Sequence, residues 1–213
     1  MCKNCSIPAE WASPLTCRWG DEVSTTHTER QTLLLVGLIH KWLATFLDRD
    51  INQFVLKEDQ LKERASLRRY IEGFLPIANN SNVEIEAIYE CCRWASLILL
   101  AVDKNCIPIH VAAKQIRISP RLTTRLSMTD LSQLWGNRKG LLFWVTAVCH
   151  FATAGRCYAL LCRALLARFA QELAMSDCCH HIALKPLWRL KQFESFCCNL
   201  GTVRNEPHLL IAN

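Results

Sequence analysis

Residues 84–102 read EIEAIYECCRWASLILLAV, and the spacing of the apolar side chains in this stretch decides the fold. They recur every three or four positions, the repeat of a helix that buries one face. The apolar set is Ile85, Ile88, Tyr89, Cys92, Ala95, Leu99 and Val102. The charged residues expected on the solvated face are Glu84, Glu86, Glu90 and Arg93. Ser81 and Glu84 have the spacing of a capping box, so the helix is predicted to begin beside them and to run to about Val102.

The same apolar repeat predicts further helices on both sides of this stretch. Their expected bounds are 29–47, 54–75, 109–116, 119–135 in two pieces, 141–154, 158–173 and 186–200. Pro108 and the Ser119-Pro120 pair suit first turns, because a first turn leaves its amide hydrogens unbonded and proline has none. No stretch alternates apolar and polar residues as a strand does. We therefore predict an all-α fold, a single irregular bundle of about seven or eight helices.

The ends of the chain are expected to lie outside the bundle. Residues 1–28 contain Pro8, Pro14 and Gly20 without a sustained apolar repeat, which predicts an irregular N-terminal arm. The helical domain is expected over residues 29–200, because Gly201 can cap the last helix. Residues 201–213 form a short tail in this prediction.

The composition is that of a globular protein. Of the 213 residues, 51% are apolar and 21% charged, with only 7 Gly and 7 Pro, which excludes disordered, collagen-like and low-complexity chains. The net charge of +6 is spread along the chain and is small for a dedicated nucleic-acid-binding module. The longest apolar stretch, 141–155, contains His150 and is shorter than the roughly 20 residues that cross a bilayer. No membrane association is expected.

The chain has 13 cysteines, some of them in adjacent pairs at 91–92, 178–179 and 197–198. The first residues lack the apolar segment of a secretory signal, so the thiols are expected to be reduced. Most of them lie in apolar helical segments, where a free thiol fills space as a small hydrophobe. Cys149, Cys157 and Cys162 are examples.

Zinc needs four ligands that converge, and the sequence does not provide the spacing for them. Cys2 and Cys5 form the single CxxC pair, and no second pair follows nearby. The run Cys178-Cys179-His180-His181 is rich in ligand types, but neighbouring residues of one helix or strand point in different directions. No metal site and no cofactor are predicted in this sequence.

Motifs for a nucleophilic hydrolase, a phosphate-binding loop or a zinc protease are absent from the sequence. His150 is the most conspicuous single residue, because an imidazole in an apolar helix either bonds to a buried group or faces a cavity. A structural role is favoured for it. Arg117, Arg121 and Arg125 repeat every four residues, which favours a solvated helix face over a nucleic-acid contact.

Three segments resemble the fungal-specific transcription factor domain, the helical regulatory region that follows a six-cysteine zinc cluster in many fungal regulators. Residues 88–100, IYECCRWASLILL, resemble its EACR-x-AAL-I-L helix. Residues 139–145, KGLLFWV, look like the start of its P-x-LLWVL-x-x-G-x-x-A helix, and Arg156 stands near the polar position after that helix. Residues 184–193, LKPLWRLKQF, are similar to its closing L-x-x-FLW helix.

The resemblance implies a helical domain without catalysis that regulates transcription by RNA polymerase II. The zinc cluster that binds DNA in the family is absent from this sequence, so DNA contact is expected only through partners or a missing DNA-binding part, to which any zinc would belong. The expected partners are proteins of the transcription machinery or another regulator, with a homodimer as a further option. The implied location is the nucleus, otherwise the cytoplasm.

The candidate site residues have two interpretations, as core or as the walls of an effector pocket between helices, and core is favoured. They are Cys92, Arg93, Trp94, Leu142, Phe143, Trp144, His150 and Arg156. Two other functions stay open. One is a small helical enzyme or accessory protein of fungal secondary metabolism with a buried pocket near His150. The other is a scaffold that binds other regulators through helix-in-groove contacts.

Overall fold

A computed structural model of the chain describes residues 27–47, 58–77, 83–128, 135, 139–153, 159–175 and 189–200. These residues form eight helices and short connections, with no strand among them, which confirms the predicted all-α fold. The helices are α1 (His27–Leu47), α2 (Glu58–Glu72), α3 (Val83–Asn105), α4 (Ile109–Gln115), α5 (Ser119–Met128), α6 (Lys139–Ala152), α7 (Ala159–Met175) and α8 (189–200). None of these described helices is long and apolar enough to cross a membrane.

Some predictions fall on residues outside the described ranges. These are most of the N-terminal arm with its CxxC pair, Ser81, Arg156, Cys157, the run 178–181 and the tail. Helix α1 begins at His27, so the last two residues assigned to the arm are helical. Pro108 occupies the N-cap position of α4 and therefore precedes the first turn, in which it was expected.

Helix α2 ends three residues earlier than predicted, and it buries only some of its apolar side chains. It ends at Glu72, and the amide of Gly73 closes its last turn by donating to the carbonyls of Arg69 and Tyr70. Leu61 is 46% exposed and Ala65 is also exposed, although both fit the apolar repeat from which this helix is predicted. Leu67 and Ile71 are the residues of α2 that reach the core.

Helix α3 is the central element of the bundle. It packs against α1, α2, α4, α5 and α6, and its residues 86–92 are all buried. The predicted solvated face is therefore wrong at Glu86 and Glu90, which are 6% and 8% exposed. A helix surrounded by five others has little surface left for water, and its charged residues must find partners inside the protein.

An aromatic cluster closes the bundle between α1 and α8. The ring of Trp42 meets those of Phe46 and Phe193 edge to face, with centroids 4.8 and 5.3 Å away. Phe46 also contacts Phe193 at 4.9 Å and Phe196 at 5.7 Å. Edge-to-face pairs place the positive rim of one ring against the negative face of another, which adds to the gain from burial.

A buried ion pair joins α2 to α3 beneath this cluster. The guanidinium of Arg64 binds the carboxylate of Asp103, and both side chains are largely buried. The guanidinium carbon of Arg64 also lies 3.7 Å from the centroid of the Phe46 ring. Arg64 thus connects the ion pair to the aromatic cluster, since it interacts with both at once.

Candidate functional site

The two best-matching segments of the family resemblance form α3 and α6, which pack against each other. Cys92, Leu142 and Phe143 are buried in the shared core. The Phe143 ring meets Phe169 of α7 edge to face at 5.6 Å. Trp94 and Trp144 are partly buried and pack against the edge of the core. These five residues therefore act as packing residues, while Arg156 lies outside the described residues.

Arg93 is held by its own helix and by the connection after α2. Its Nη2 lies 2.8 Å from Oε2 of Glu90, and the other carboxylate oxygen accepts a hydrogen bond from the amide of Ile77 at 3.4 Å. Beside them, the hydroxyl of Tyr89 donates to the carbonyl of Leu75 at 2.8 Å. The charged pair in the family-like segment thus fixes residues 75–77 against α3, which accounts for the burial of Glu90.

His150 and Thr146 lie one turn apart on α6 and carry buried polar atoms. Nδ1 of His150 and Oγ1 of Thr146 have no hydrogen-bond partner among the described residues. Buried polar atoms are rarely left unbonded, so a water, a ligand or a residue outside the described ranges is needed to satisfy them. Burial, together with the charge of Arg163, lowers the pKa of His150 below its ordinary value of 6.5.

A cluster of buried thiols occupies the junction of α3, α5, α6 and α7. Cys149 on α6 and Cys162 on α7 are close enough to shift the pKa of each other's thiol, and both residues are 0% exposed. The hydroxyl of Thr123 on α5 lies 3.6 Å from the sulfur of Cys149. Cys91 on α3 is close enough to Cys149 for their charges to interact. All of the cysteines in this cluster are free.

The thiols of this cluster differ in acidity. Hydrogen bonds from Cys162 and Thr123 lower the pKa of Cys149 against the opposing effect of burial, because they stabilise its thiolate. The hydrogen bond with Cys149 and burial raise the pKa of Cys162. Burial raises the pKa of Cys91 to about 12. Cys91 and Cys162 therefore hold their protons more tightly than an exposed thiol does.

Sequence reasoning treated these cysteines as space-filling residues and missed their contact. The distance of each cysteine from the connection between the two helices was a signal that could have found it. Cys149 lies three residues before the end of α6, and Cys162 lies three residues after the start of α7. When two packed helices joined by a short connection run antiparallel, residues at equal distances from that connection lie side by side.

The arginines of α5 and of the turn before it differ in exposure. Arg117 and Arg121 are exposed, as expected for a solvated face. Arg125 is partly buried, and its Nε has no hydrogen-bond partner among the described residues. Its charge lowers the pKa of Cys91, although burial outweighs that effect. Arg125 therefore belongs to the surroundings of the thiol cluster.

Within the described ranges, no group of three or more histidine, cysteine, aspartate or glutamate side chains is placed to hold a metal ion. No protein-family model, curated protein or solved structure matches the chain. The similarity to the fungal-specific transcription factor domain therefore rests on the residues of this chain alone.

Proposed function

We propose that the chain is a helical regulatory domain of the fungal-specific transcription factor type, which controls transcription by RNA polymerase II through protein partners. The observation that carries the proposal is the packing of α3 against α6. These helices contain the two segments that most resemble the family. Their family-like residues Cys92, Leu142 and Phe143 lie together in one core, as residues that define a shared domain fold would.

In this proposal the chain supplies regulation, and contact with DNA belongs to a partner or to a DNA-binding part outside this sequence. The partners are proteins of the transcription machinery or another regulator, and a second copy of the chain is a further option. The site of action is the nucleus. A scaffold that binds other regulators would use the same fold and would differ only in its partners.

A tethering experiment tests this function. The full chain is fused to an unrelated sequence-specific DNA-binding domain, and transcription is measured from a reporter that carries the matching sites. We expect the fusion to raise or lower transcription relative to the DNA-binding domain alone. Leu142→Asp should abolish the effect because it places a charge in the core, whereas Lys114→Gln on the exposed face of α4 should leave it unchanged. A fusion without effect, together with an unaltered transcript profile after gene deletion, would contradict the proposal.

The second candidate is a small helical enzyme or accessory protein of fungal secondary metabolism, and it is favoured by the unbonded Nδ1 of His150. An imidazole with a lowered pKa is neutral near pH 7 and can accept a proton. Complementation of a deletion strain with His150→Gln separates the candidates. An enzyme would lose its product while transcripts stay normal and the variant stays folded, whereas a regulator would restore both transcripts and products.

A further inference from the structure

We propose that α5 and the turn before it form a docking surface for an acidic, partly apolar segment of a partner protein. The surface, named the arginine face, consists of Arg117, Arg121 and Arg125 together with the partly buried Ile116 and Ile118. Because the proposed function acts through proteins, the proposal rests on that function for the class of partner, and it adds the surface and the chemistry of the contact.

The arginine face lies in a part of the bundle that has no negative charge of its own. Residues 104–128 contain no aspartate and no glutamate. Among the described residues, none of the three arginines forms an ion pair. Several basic residues of α1, α2 and α3, in contrast, pair with carboxylates of those same helices. They are Lys41, Lys62, Arg64, Arg68 and Arg93. The charge complementary to the arginine face must therefore come from a partner.

Helix α5 carries two of these arginines away from the core. Leu122 and Leu126 are fully buried, whereas Arg121 is exposed and Arg125 is partly exposed. Arg121 and Arg125 are four positions apart, so they lie one turn apart on the same side of the helix. Two guanidinium groups at this spacing can bind two carboxylates of one acidic segment.

Arg125 has a hydrogen-bond donor that lacks an acceptor. Its Nε is buried and has no partner among the described residues. Such a donor is rarely left unbonded, and a change of rotamer of this partly exposed side chain brings Nε to the surface. The edge formed by Nε and one Nη of a guanidinium fits a carboxylate through two parallel hydrogen bonds. A carboxylate of the partner would therefore satisfy Arg125 as well as neutralise its charge.

Arg117 has a backbone conformation that arginine rarely adopts. Its φ is 54°, and its amide donates to the carbonyl of Lys114 at 3.2 Å just after α4 ends. Glycine is the usual residue at a left-handed helix end, because a Cβ atom is strained there. Strained backbone of this kind is concentrated at binding sites, where the side chain is needed for function. The long cation at this position is thus better explained by binding than by the stability of the fold.

The apolar part of the arginine face favours a protein segment over a nucleic acid. Ile116 and Ile118, on either side of Arg117, are only partly buried. A phosphate backbone offers no apolar side chains to them, and surfaces that bind nucleic acid usually carry more positive charge than three arginines. An acidic segment that also contains leucine or a similar residue matches both the cations and the apolar side chains.

Fluorescence anisotropy of the full chain tests the proposal. The probe is a fluorescein-labelled peptide of Glu-Glu-Leu repeats, and the control peptide has glutamine in place of every glutamate. At about 0.15 M salt, which screens distant charges, we expect the chain to bind the acidic probe and not the control peptide. Arg117→Gln/Arg121→Gln should weaken binding at least about fivefold, because two ion pairs with the probe are lost. Arg69→Gln/Lys191→Gln removes the same charge from exposed positions elsewhere and should change the affinity less than about twofold.

Two single variants distinguish binding from a structural role. Arg125→Lys keeps the positive charge but loses the paired donors of the guanidinium, so it should weaken binding of the probe. Arg117→Gly removes the cation and relieves the left-handed backbone, so it should weaken binding and at the same time raise the melting temperature. A residue that served only the fold would not show these opposite changes. Circular dichroism verifies that each variant is folded.

Equal losses of affinity in the two double variants would overturn the proposal, because they would show that only the net charge matters. The same holds if the probe does not bind at about 1 mM, the weak limit of a specific contact, or if duplex DNA binds more tightly than the probe. In the tethering experiment, Arg117→Gln/Arg121→Gln should abolish the effect on the reporter. An active wild-type fusion with an equally active double variant would contradict the docking surface alone, whereas an inactive wild-type fusion would contradict the proposed function.

Discussion

The carboxylate of Glu194 on α8 accepts a hydrogen bond from the backbone amide of Ile109, the first residue of α4, at a distance of 2.7 Å. Pro108 at the N-cap has no side-chain oxygen to accept this amide. A residue 85 positions away in the sequence therefore supplies the cap that the local sequence lacks. The bond also fastens α8 to the centre of the bundle, because α4 packs against both α3 and α6.

Removal of this cap should destabilise the protein. We expect Glu194→Ala to lower the free energy of unfolding by about 1 to 2 kcal/mol, since it leaves the first amide of α4 unbonded. Glu194→Gln should cost less because its amide oxygen still accepts the bond. Urea denaturation followed by circular dichroism measures both. Equal losses for the two variants would show that charge, and not the hydrogen bond, is the important property of Glu194.

Breaking the ion pair between Arg64 and Asp103 should be much more costly than breaking an exposed one. Arg64→Met leaves the Asp103 carboxylate buried without its partner, and we expect a loss of about 3 to 5 kcal/mol. Lys62→Ala removes an exposed ion pair with Glu58 on the same helix and should cost less than about 0.5 kcal/mol. Denaturant unfolding compares the two variants. If Arg64→Met were as mild as Lys62→Ala, the buried pair would not contribute to stability.

Two tryptophans differ in burial and should differ in the cost of their removal. Trp42 is fully buried between Phe46 and Phe193, so Trp42→Ala should cost about 3 to 5 kcal/mol. Trp94 packs at the edge of the core and remains partly exposed, so Trp94→Ala should cost at most about 2 kcal/mol. The free energies of unfolding of the two variants provide the comparison. The opposite order would mean that Trp94 is the residue on which the core depends.

The pKa of His150 predicts a dependence of stability on pH. It is lowered in the folded protein by burial and by Arg163, so the unfolded chain takes up the proton first as pH falls. The free energy of unfolding should therefore decrease below about pH 6.5 and level off below the folded-state pKa. Urea denaturation of wild type and His150→Gln over this range measures the effect, and the variant should show a shallower decrease.

A nuclear magnetic resonance titration of the imidazole protons tests the cause of this shift directly. Arg163→Gln removes the nearby positive charge, so the pKa of His150 should rise toward 6.5, and burial should keep it from reaching that value. An unchanged pKa in this variant would exclude Arg163 as a cause.

The sequence predicts the all-α class and most helix bounds because apolar residues repeat at helical spacing. It does not predict how many neighbours a helix has. The glutamates of α3 looked like a solvated face, yet Glu90 is buried because Arg93 and the amide of Ile77 satisfy its carboxylate. The contact between Glu90 and Ile77 joins residues 13 positions apart. Helical periodicity relates only residues three or four positions apart, so it does not predict this contact.

The candidate site, too, was predicted only in part from the sequence. The residues that resemble the family were predicted as core, and Leu142 and Phe143 lie there. The contact between Cys149 and Cys162 was missed because a cysteine in an apolar helix looks the same whether it fills space or faces a second thiol. Only the relative placement of α6 and α7 separates these two cases.

The contact of Trp42 with Phe193 can form only after α8 has been synthesised. Most of the chain is synthesised between these two residues, which takes about 8 to 30 s at typical rates of about 5 to 20 residues per second. During that interval the aromatic face of α1 has no partner from α8, although its other neighbours are already being made. Until α8 is made, Trp42 and Phe46 lack their ring contacts with Phe193, and a chaperone that recognises exposed aromatic side chains can act in that interval. Translation pauses before α8 would lengthen this exposure and increase aggregation, without any change in the stability of the finished protein.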